Sequence, residues 1–347
     1  MKTCIVTVYD SINCGSYWQA FALGDVLRQM GCEVQYLRRN QKGASSSTST
    51  RIRAILSNCW HGRFAVAGRY LLAVKKFRRF QSKLNIVDET DGIDCFVLGS
   101  DTIWNMDSQY FREHASTYWG IDFFPRKTIT YAASAANTKA EKITQELHDA
   151  VGKLYAVSVR DQHTRELVKD DTDKEIRIVC DPTLLLVKSD YRKYIGSNTE
   201  KKGYVYLYLN APLSHKQGEE LKAFCRDKGL NIINGFTYNK PDYCDKCIVA
   251  EPESFLTYMF YADYIVTDTF HGTVFSANFN KQFVSLTRGK NKVKEFLDIC
   301  GLTDRGHEDD AGMVSKLSCP IDYAAVNAEI SALREKSLSY LRETILE

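Results

Sequence analysis

Residues 263–275, DYIVTDTFHGTVF, place the narrowest limits on the fold. The run Tyr264–Thr267 is β-branched and apolar and predicts a strand, residues 268–272 a polar turn, and the residues up to about 280 a helix. A strand handed to a helix through so short a turn is half of a βα unit. In open α/β sheets the strand's carboxyl end and the helix's unpaired N–H groups form a crevice that accepts ligands. His271 and Gly272 fall in this expected turn, and a glycine there lets an anionic group approach the backbone. A lone histidine so placed is more often a packing or capping residue, so its meaning depends on the rest of the chain.

The same alternation runs from the start. Residues 3–9 read as a strand, 10–16 as a turn, 17–30 as a helix with Gly31 just past its end, and 32–37 as the next strand. This βαβ opening favours a parallel sheet. Its turn carries Asn13-Cys14-Gly15-Ser16 in place of G-x-G-x-x-G. That argues against a nicotinamide dinucleotide and leaves N–H groups and the Ser16 hydroxyl for a smaller anion. A buried strand at 93–98 delivers Gly99-Ser100-Asp101, followed by Trp104 and Asn105; Trp104 suits either a sugar ring or the core. Strands at 128–134 and 156–160 flank a helix at about 139–153, and Arg160 ends the second of them. Residues 176–180 lead into Asp181-Pro182-Thr183. The pattern restarts with strands at 203–209, 230–235, 247–250, 264–267 and 282–286. Helices are expected at 212–228 and 292–300, and a last polar helix at 321–346. At 347 residues the chain suits two domains. The expected architecture is α/β and GT-B-like, with two Rossmann-like βα domains facing a central cleft. They cover residues 1–190 and 200–320, and the helix at 321–347 packs back across them.

Composition adds an asymmetry. Hydrophobic residues make up 44% and charged residues 26%, as in a soluble globular protein. The net charge is only +3, yet residues 1–90 hold 14 Lys/Arg against 5 Asp/Glu, and the remainder 32 against 38. Residues 43–50 are Ser/Thr-rich and read as a loop. Residues 51–83 read as a basic helical insert with Phe64, Tyr70, Leu71, Val74, Phe77 and Phe80 as apolar positions. Such an insert is either a solvated face over a core or a surface for anionic lipid headgroups or a diphosphate, hence an expected peripheral membrane contact. Its arginines are not interleaved with stacking aromatics, so no nucleic acid is expected. No secretory signal and no apolar run of membrane-spanning length is visible. The eleven cysteines are scattered, as in a reducing cytoplasm, and Cys244-x-x-Cys247 lacks a second pair, so no metal is expected.

Five fragments in order resemble the polysaccharide pyruvyl transferase family. They are Asn13-x-Gly15 with Gln19-Ala20-x-Ala22-Leu23, Gly99-Ser100-Asp101-x-x-Trp104-Asn105, Val159-Arg160-Asp161, Asp181-Pro182-Thr183, and Asp268-x-Phe270-His271-Gly272. The resemblance spans nearly the whole chain. It implies a GT-B-like fold and pyruvyl transfer from phosphoenolpyruvate, the co-substrate, to a sugar as a cyclic ketal, with no further cofactor. It also implies an acceptor glycan of capsule, wall or exopolysaccharide, carried on undecaprenyl diphosphate, and work in the cytoplasm at the inner face of the membrane. The N-terminal domain is then the acceptor side and the C-terminal domain the donor side. The family's functional histidine corresponds to His271. Many relatives carry an arginine two residues before it, where this chain has Thr269.

Ketal formation needs the CH₂ end of the enol phosphate protonated, two hydroxyls delivered in turn, and phosphate released. Histidine suits that proton traffic near neutral pH. The expected catalytic residues are His271 and Asp101. Arg160 is expected to fork onto a carboxylate or phosphate, with Arg288 and Lys290 replacing the arginine missing at Thr269. The N–H groups of Ser16 and Gly272 complete the donor contacts. Asn13, Gly15, Ser100, Trp104 and Asn105 are the acceptor-side candidates. Arg160 also suits an ion pair with Asp161 or Asp181, and Asp101 a turn cap. Two other functions fit the same pattern: a glycosyltransferase using a nucleotide sugar, for which Glu251 and Glu253 are ribose candidates, and a non-catalytic glycan-binding relative.

Overall fold

A computed structural model describes residues 1–38, 60, 64–235 and 240–346. The loop expected at 43–50, and residues 51–59 and 61–63 of the basic insert, lie outside these. The described residues cluster into two units. One takes residues 1–38, 78–186 and 332–346, the other 60, 64–77, 187–235 and 240–331.

The chain opens with β1 (Lys2–Val6), α1 (Cys14–Gln29), β2 (Glu33–Leu37), α2 (Phe64–Gln81), β3 (Ile86–Val87), β4 (Cys95–Leu98) and β5 (Lys127–Thr130). These five strands form a sheet in the order β3-β2-β1-β4-β5, every pair parallel. After α3 (Gln145–Lys153), β6 (Val157–Val159), α4 (Gln162–Val168) and β7 (Ile176–Ile178), β6 pairs with β7 in parallel. Single bridges, Ile129 to Ala156 and Ala133 to Val159, continue the order from β5 into β6. β4 is buried on both faces, as a central parallel strand must be. The core beside it stacks Phe96 on Phe123 with ring centroids 4.1 Å apart.

The second unit repeats the scheme. Its elements are β8 (Tyr204–Tyr208), α5 (His215–Lys228), β9 (Asn231–Asn234), β10 (Lys246–Cys247), α6 (Pro252–Tyr261), β11 (Tyr264–Thr267), α7 (Phe270–Asn278), β12 (Gln282–Leu286), α8 (Asn291–Ile299), β13 (Gly306–His307), α9 (Met313–Ser318) and α10 (Tyr323–Leu346). The sheet order is β10-β9-β8-β11-β12-β13, again all parallel. β11 covers the residues expected of it.

Side-chain chemistry explains where the boundaries move. Helix α5 begins at His215 and not at 212, because Ser214 and Gln217 close a reciprocal capping box. The helix expected at about 139–153 breaks into a 3₁₀ turn, Ala140–Lys142, and α3. Residues 64–77 of the basic insert, read from sequence as part of the first domain, group with the second unit. There Lys76 Nζ lies 3.5 Å from the Glu251 carboxylate. The last stretch of α10 belongs to the first unit. Arg334, Ser337 and Tyr340 recur at helical spacing and meet its backbone. Arg334 donates to the Leu184 carbonyl, Ser337 Oγ accepts from Cys180 N at 2.9 Å, and Tyr340 donates to the Thr130 carbonyl at 2.8 Å.

Candidate functional site

Each parallel sheet has one place where the strand order reverses, between β1 and β4 in the first and between β8 and β11 in the second. Loops leaving the carboxyl ends of two such strands diverge, and the opening between them is where open α/β sheets bind ligands. A buried or half-buried aspartate ties together the chain segments that leave the two strands at each of these points.

In the first unit that residue is Asp101. It follows Gly99, whose φ of 111° and whose close approach to the Tyr131 carbonyl admit no side chain; a Cβ would lie 2.4 Å from that oxygen. Asp101 itself has φ 76°, a left-handed conformation that aspartate tolerates and most residues do not. Its Oδ2 accepts a hydrogen bond from Ser16 Oγ at 2.9 Å and its Oδ1 one from Thr102 N at 2.8 Å. The Ser16–Asp101 bond joins the first turn of α1, which follows β1, to the loop after β4. Buried Gln19 fixes the segment after β1, its Nε2 sharing two hydrogens among Thr7 Oγ1, the Val8 carbonyl and the Ser16 carbonyl.

In the second unit the bridging residue is Asp268, 2% exposed. Its Oδ1 accepts from Asn210 N at 2.6 Å and its Oδ2 from Ala211 N at 3.2 Å, which ties the loop after β11 to the loop after β8. Arg288, in the loop after β12, donates Nη1 to Asp268 Oδ2 at 3.0 Å and Nη2 to the Pro212 carbonyl at 2.9 Å. Lys290 Nζ donates to the Asp268 carbonyl and lies 4.0 Å from its carboxylate. Arg288 adopts φ 46°, a backbone state costing roughly 1 kcal/mol or more for such a residue, so the contacts of its guanidinium hold it there. Two cations against one carboxylate leave this corner one charge positive. Arg288 and Lys290 keep 30% and 33% of their side chains exposed, while Asp268 keeps 1%. The positive groups therefore face outward and the negative one inward.

His271 stands beside this corner but not in a turn. Helix α7 starts at Phe270, so His271 and Gly272 lie in its first turn, earlier than the sequence reading placed the helix. Thr269 sets that start as N-cap, its Oγ1 accepting from Gly272 N at 2.9 Å. The hydroxyls of Thr267 and Thr269 are 3.0 Å apart, and Thr267 Oγ1 donates to the Tyr208 carbonyl at 2.7 Å. His271 is 7% exposed.

This geometry corrects several expected roles. The N–H of Gly272 is taken by the Thr269 cap, so it is not an anion donor. Its lack of a side chain serves packing, since a Cβ would lie 2.1 Å from Thr267 Oγ1. Thr269 is a helix cap at the position where the resemblance implies an arginine. Ser16 and Gly15 also lie inside a helix, because α1 starts at Cys14. Both N–H groups point to the N-cap, Gly15 N at 2.9 Å and Ser16 N at 3.4 Å from Asn13 Oδ1. Asn13 is thereby a cap and Gly15 a buried helix residue, and Ser16 contributes its hydroxyl and not its amide. Trp104 is fully buried, stacked on Trp119 at 4.5 Å with its Nε1 donating to the Tyr118 carbonyl, so no sugar reaches it. Asn105 Oδ1 accepts from Asp107 N at 3.0 Å and shapes a turn. Ser100 is fully buried, and its carbonyl accepts from Thr7 Oγ1. Arg160 Nη1 lies 3.2 Å from Asp181 Oδ2 in a buried ion pair, while Asp161 and Asp181 cap the elements that follow them. Glu251 caps α6 by accepting from Glu253 N, so its carboxylate is also committed to the fold.

The sequence reading missed the role of Asp268. Its signal was a carboxylate between two threonines at a strand's end, where burial forces it to find N–H donors on the neighbouring loop. Among the described residues no group of three or more His, Cys, Asp or Glu is placed to hold a metal ion.

Two βα units with all-parallel sheets, each reversing its strand order once, define the GT-B-like class of fold, two Rossmann-like domains in one chain. The chain belongs to the polysaccharide pyruvyl transferase family, whose sequence profile matches residues 13–290. No curated protein matches it in sequence. Among solved structures it is similar to a UDP-N-acetylglucosamine 2-epimerase, with a TM-score of 0.56 at 9% identity over 100% of this chain and 96% of that one. It is also similar to the UDP-GlcNAc 2-epimerase of Neisseria meningitidis, with a TM-score of 0.50 at 9% identity over 100% of both chains. At such identity the likeness is one of fold. The family is one of transferases, and this chain is an enzyme of that kind.

Proposed function

We propose that the protein transfers the pyruvyl group of phosphoenolpyruvate onto two hydroxyls of a sugar, forming a cyclic ketal in a surface glycan. The observation that carries this reading is the corner at the carboxyl ends of β11 and β12. It combines the family's histidine with two outward-facing cations held by one buried aspartate. Phosphoenolpyruvate carries a phosphate and a carboxylate, and Arg288 and Lys290 offer charge and N–H donors to such a dianionic molecule.

In this scheme His271 delivers a proton to the CH₂ carbon, which becomes the methyl group as C2 takes on oxocarbenium character. One sugar hydroxyl attacks C2 and gives up its proton. The C2–O bond to phosphate breaks, phosphate leaves, and the second hydroxyl closes the ketal. Two hydroxyl protons are released; one balances the proton added to the methyl carbon and the other leaves with phosphate. Asp101, the other catalytic candidate, belongs to the first unit and carries no step in this scheme. The glycan is proposed to be a hexose-containing precursor on a polyprenyl diphosphate. Arg160 is proposed only as the pillar that holds Asp181.

The test is phosphate release from phosphoenolpyruvate in the presence of candidate glycans, with the product weighed for a gained pyruvyl ketal. His271→Gln is expected to lower the rate by a factor of about 100 or more, the scale of a lost general acid. Phosphate release untouched by that change would remove His271 from the chemistry. Turnover of a nucleotide sugar, and none of phosphoenolpyruvate, would replace pyruvyl transfer by glycosyl transfer.

A further inference from the structure

Helix α2 is an 18-residue segment with five cations, Arg69, Lys75, Lys76, Arg78 and Arg79, and no carboxylate. Its buried side chains include Ala67, Ala73, Phe77 and Phe80. The other side exposes Phe64 at 68%, Leu71 at 51% and Leu72 at 45%, together with Lys75, Arg78 and Arg79. Positions 64, 71, 75 and 78 fall within roughly 60° of one another around a helix of 3.6 residues per turn. Large apolar and cationic side chains therefore share one exposed face. Trp60, just ahead of the helix, is 89% exposed. Among the described residues Lys76 approaches Glu251, whereas Lys75, Arg78 and Arg79 pair with no carboxylate.

A solvated helix face ordinarily mixes both signs of charge and keeps phenylalanine and leucine inward. This face does the reverse, and its composition is that of a helix lying in a membrane interface. Charge selects the occupant. A second copy of the chain packed about a two-fold axis would set these cations against themselves. An anionic bilayer supplies both phosphates for the cations and an apolar layer for the rings. Among the described residues no helix is long and apolar enough to cross a membrane, so the contact is one of lying on the surface.

We propose that this face of α2 docks the protein on an anionic lipid surface. Trp60, Phe64, Leu71 and Leu72 enter the boundary between headgroups and acyl chains, and Lys75, Arg78 and Arg79 meet the lipid phosphates. The inference rests on the exposure and charge of this helix and not on the identity of the donor substrate.

The experiment is flotation of the full chain with phosphatidylcholine vesicles, with and without phosphatidylglycerol, at low and high salt. It is read together with tryptophan fluorescence. Of the four tryptophans, Trp18, Trp104 and Trp119 are at most 2% exposed, so a blue shift on adding vesicles reports Trp60 alone. Binding is expected only with phosphatidylglycerol and only at low salt, with a blue shift that Trp60→Phe abolishes. The combined change K75Q/R78Q/R79Q is expected to weaken binding about a hundredfold, since each cation near an anionic surface contributes on the order of 1 kcal/mol. The same variant should keep the wild-type melting temperature and any thermal shift with phosphoenolpyruvate, because the altered side chains are exposed. The proposal is overturned by no flotation with anionic vesicles at low salt, or by flotation indifferent to K75Q/R78Q/R79Q. It is equally overturned by a salt-stable dimer in sedimentation that F64S/L71S dissociates, which would assign the face to a second copy. Absent phosphoenolpyruvate binding beside intact vesicle binding would sink the proposed reaction and leave this inference standing.

Discussion

Gly272 illustrates how a single residue in a motif can serve the fold more than the ligand. A methyl group there would overlap Thr267 Oγ1, whose hydroxyl ties β11 to β8. Gly272→Ala is expected to destabilise the protein by about 2–3 kcal/mol, as overpacking against a fixed neighbour does. Thr267→Ala should recover part of that loss in a double-mutant cycle by denaturant unfolding. Additive losses would show that the clash is not the cause. Trp104 makes the same point more strongly. Buried against Trp119, it should cost roughly 3–5 kcal/mol when replaced by alanine, and any surviving enzyme should keep its KM for the acceptor. A large rise in KM with stability intact would return it to the binding site. His271 is the residue that the sequence singled out through its motif, and its role is the one the proposed chemistry assigns to it. For Asn13, Ser100, Trp104 and Asn105 the motif was legible but its purpose was not. A cap, a buried turn and a sugar contact draw on the same polar and aromatic residue types, and only burial and hydrogen-bond partners separate them.

At the scale of elements, strands were read more accurately than helix starts. β11 and β12 stand where alternation and β-branching placed them, because a buried parallel strand leaves a continuous apolar run. Helices α1, α5 and α7 shifted at their N-termini, each time because a side chain outside the apolar pattern, Asn13, Ser214 or Thr269, caps the helix. Thr269→Ala should therefore cost about 1 kcal/mol, measurable as a lowered unfolding midpoint. The far ends of α6 and α7 are held by cations. Lys281 Nζ donates to the Ala262 carbonyl at the end of α6, and Lys188 Nζ to the Phe279 carbonyl at the end of α7. Burial first, and then Lys188, pull the Lys281 ammonium from its ordinary 10.5 down to about 8. The unfolded chain thus binds that proton more tightly than the folded one. The contribution of Lys281 to stability is full above pH 10.5 and is lost as the pH falls through 8. Wild type should gain stability relative to Lys281→Met between those limits. A difference that stays flat across that range would contradict the cause assigned here.

The molecule as a whole consists of two βα units, each with one reversal of strand order and one aspartate spanning it. The two-unit plan was visible in the sequence because the βα alternation stops near residue 200 and begins again. The aspartates' pairing was not visible, since Asn210 and Asp268, or Ser16 and Asp101, meet only through sheet topology. Assignment of residues 64–77 to the second unit also escaped the sequence, because neighbours in sequence need not share a core. The family is one of transferases, and the chemistry proposed for this chain depends on a single anionic donor meeting the corner built by Asp268, Arg288 and Lys290 beside His271. The most direct measurement is a thermal-shift titration of wild type, His271→Ala and Arg288→Ala with phosphoenolpyruvate, with UDP and GDP sugars as controls. A ligand that binds only the folded state raises the midpoint as its concentration passes Kd. The account predicts a shift with phosphoenolpyruvate alone, reduced in both variants. A shift with a nucleotide sugar, and none with phosphoenolpyruvate, would contradict it.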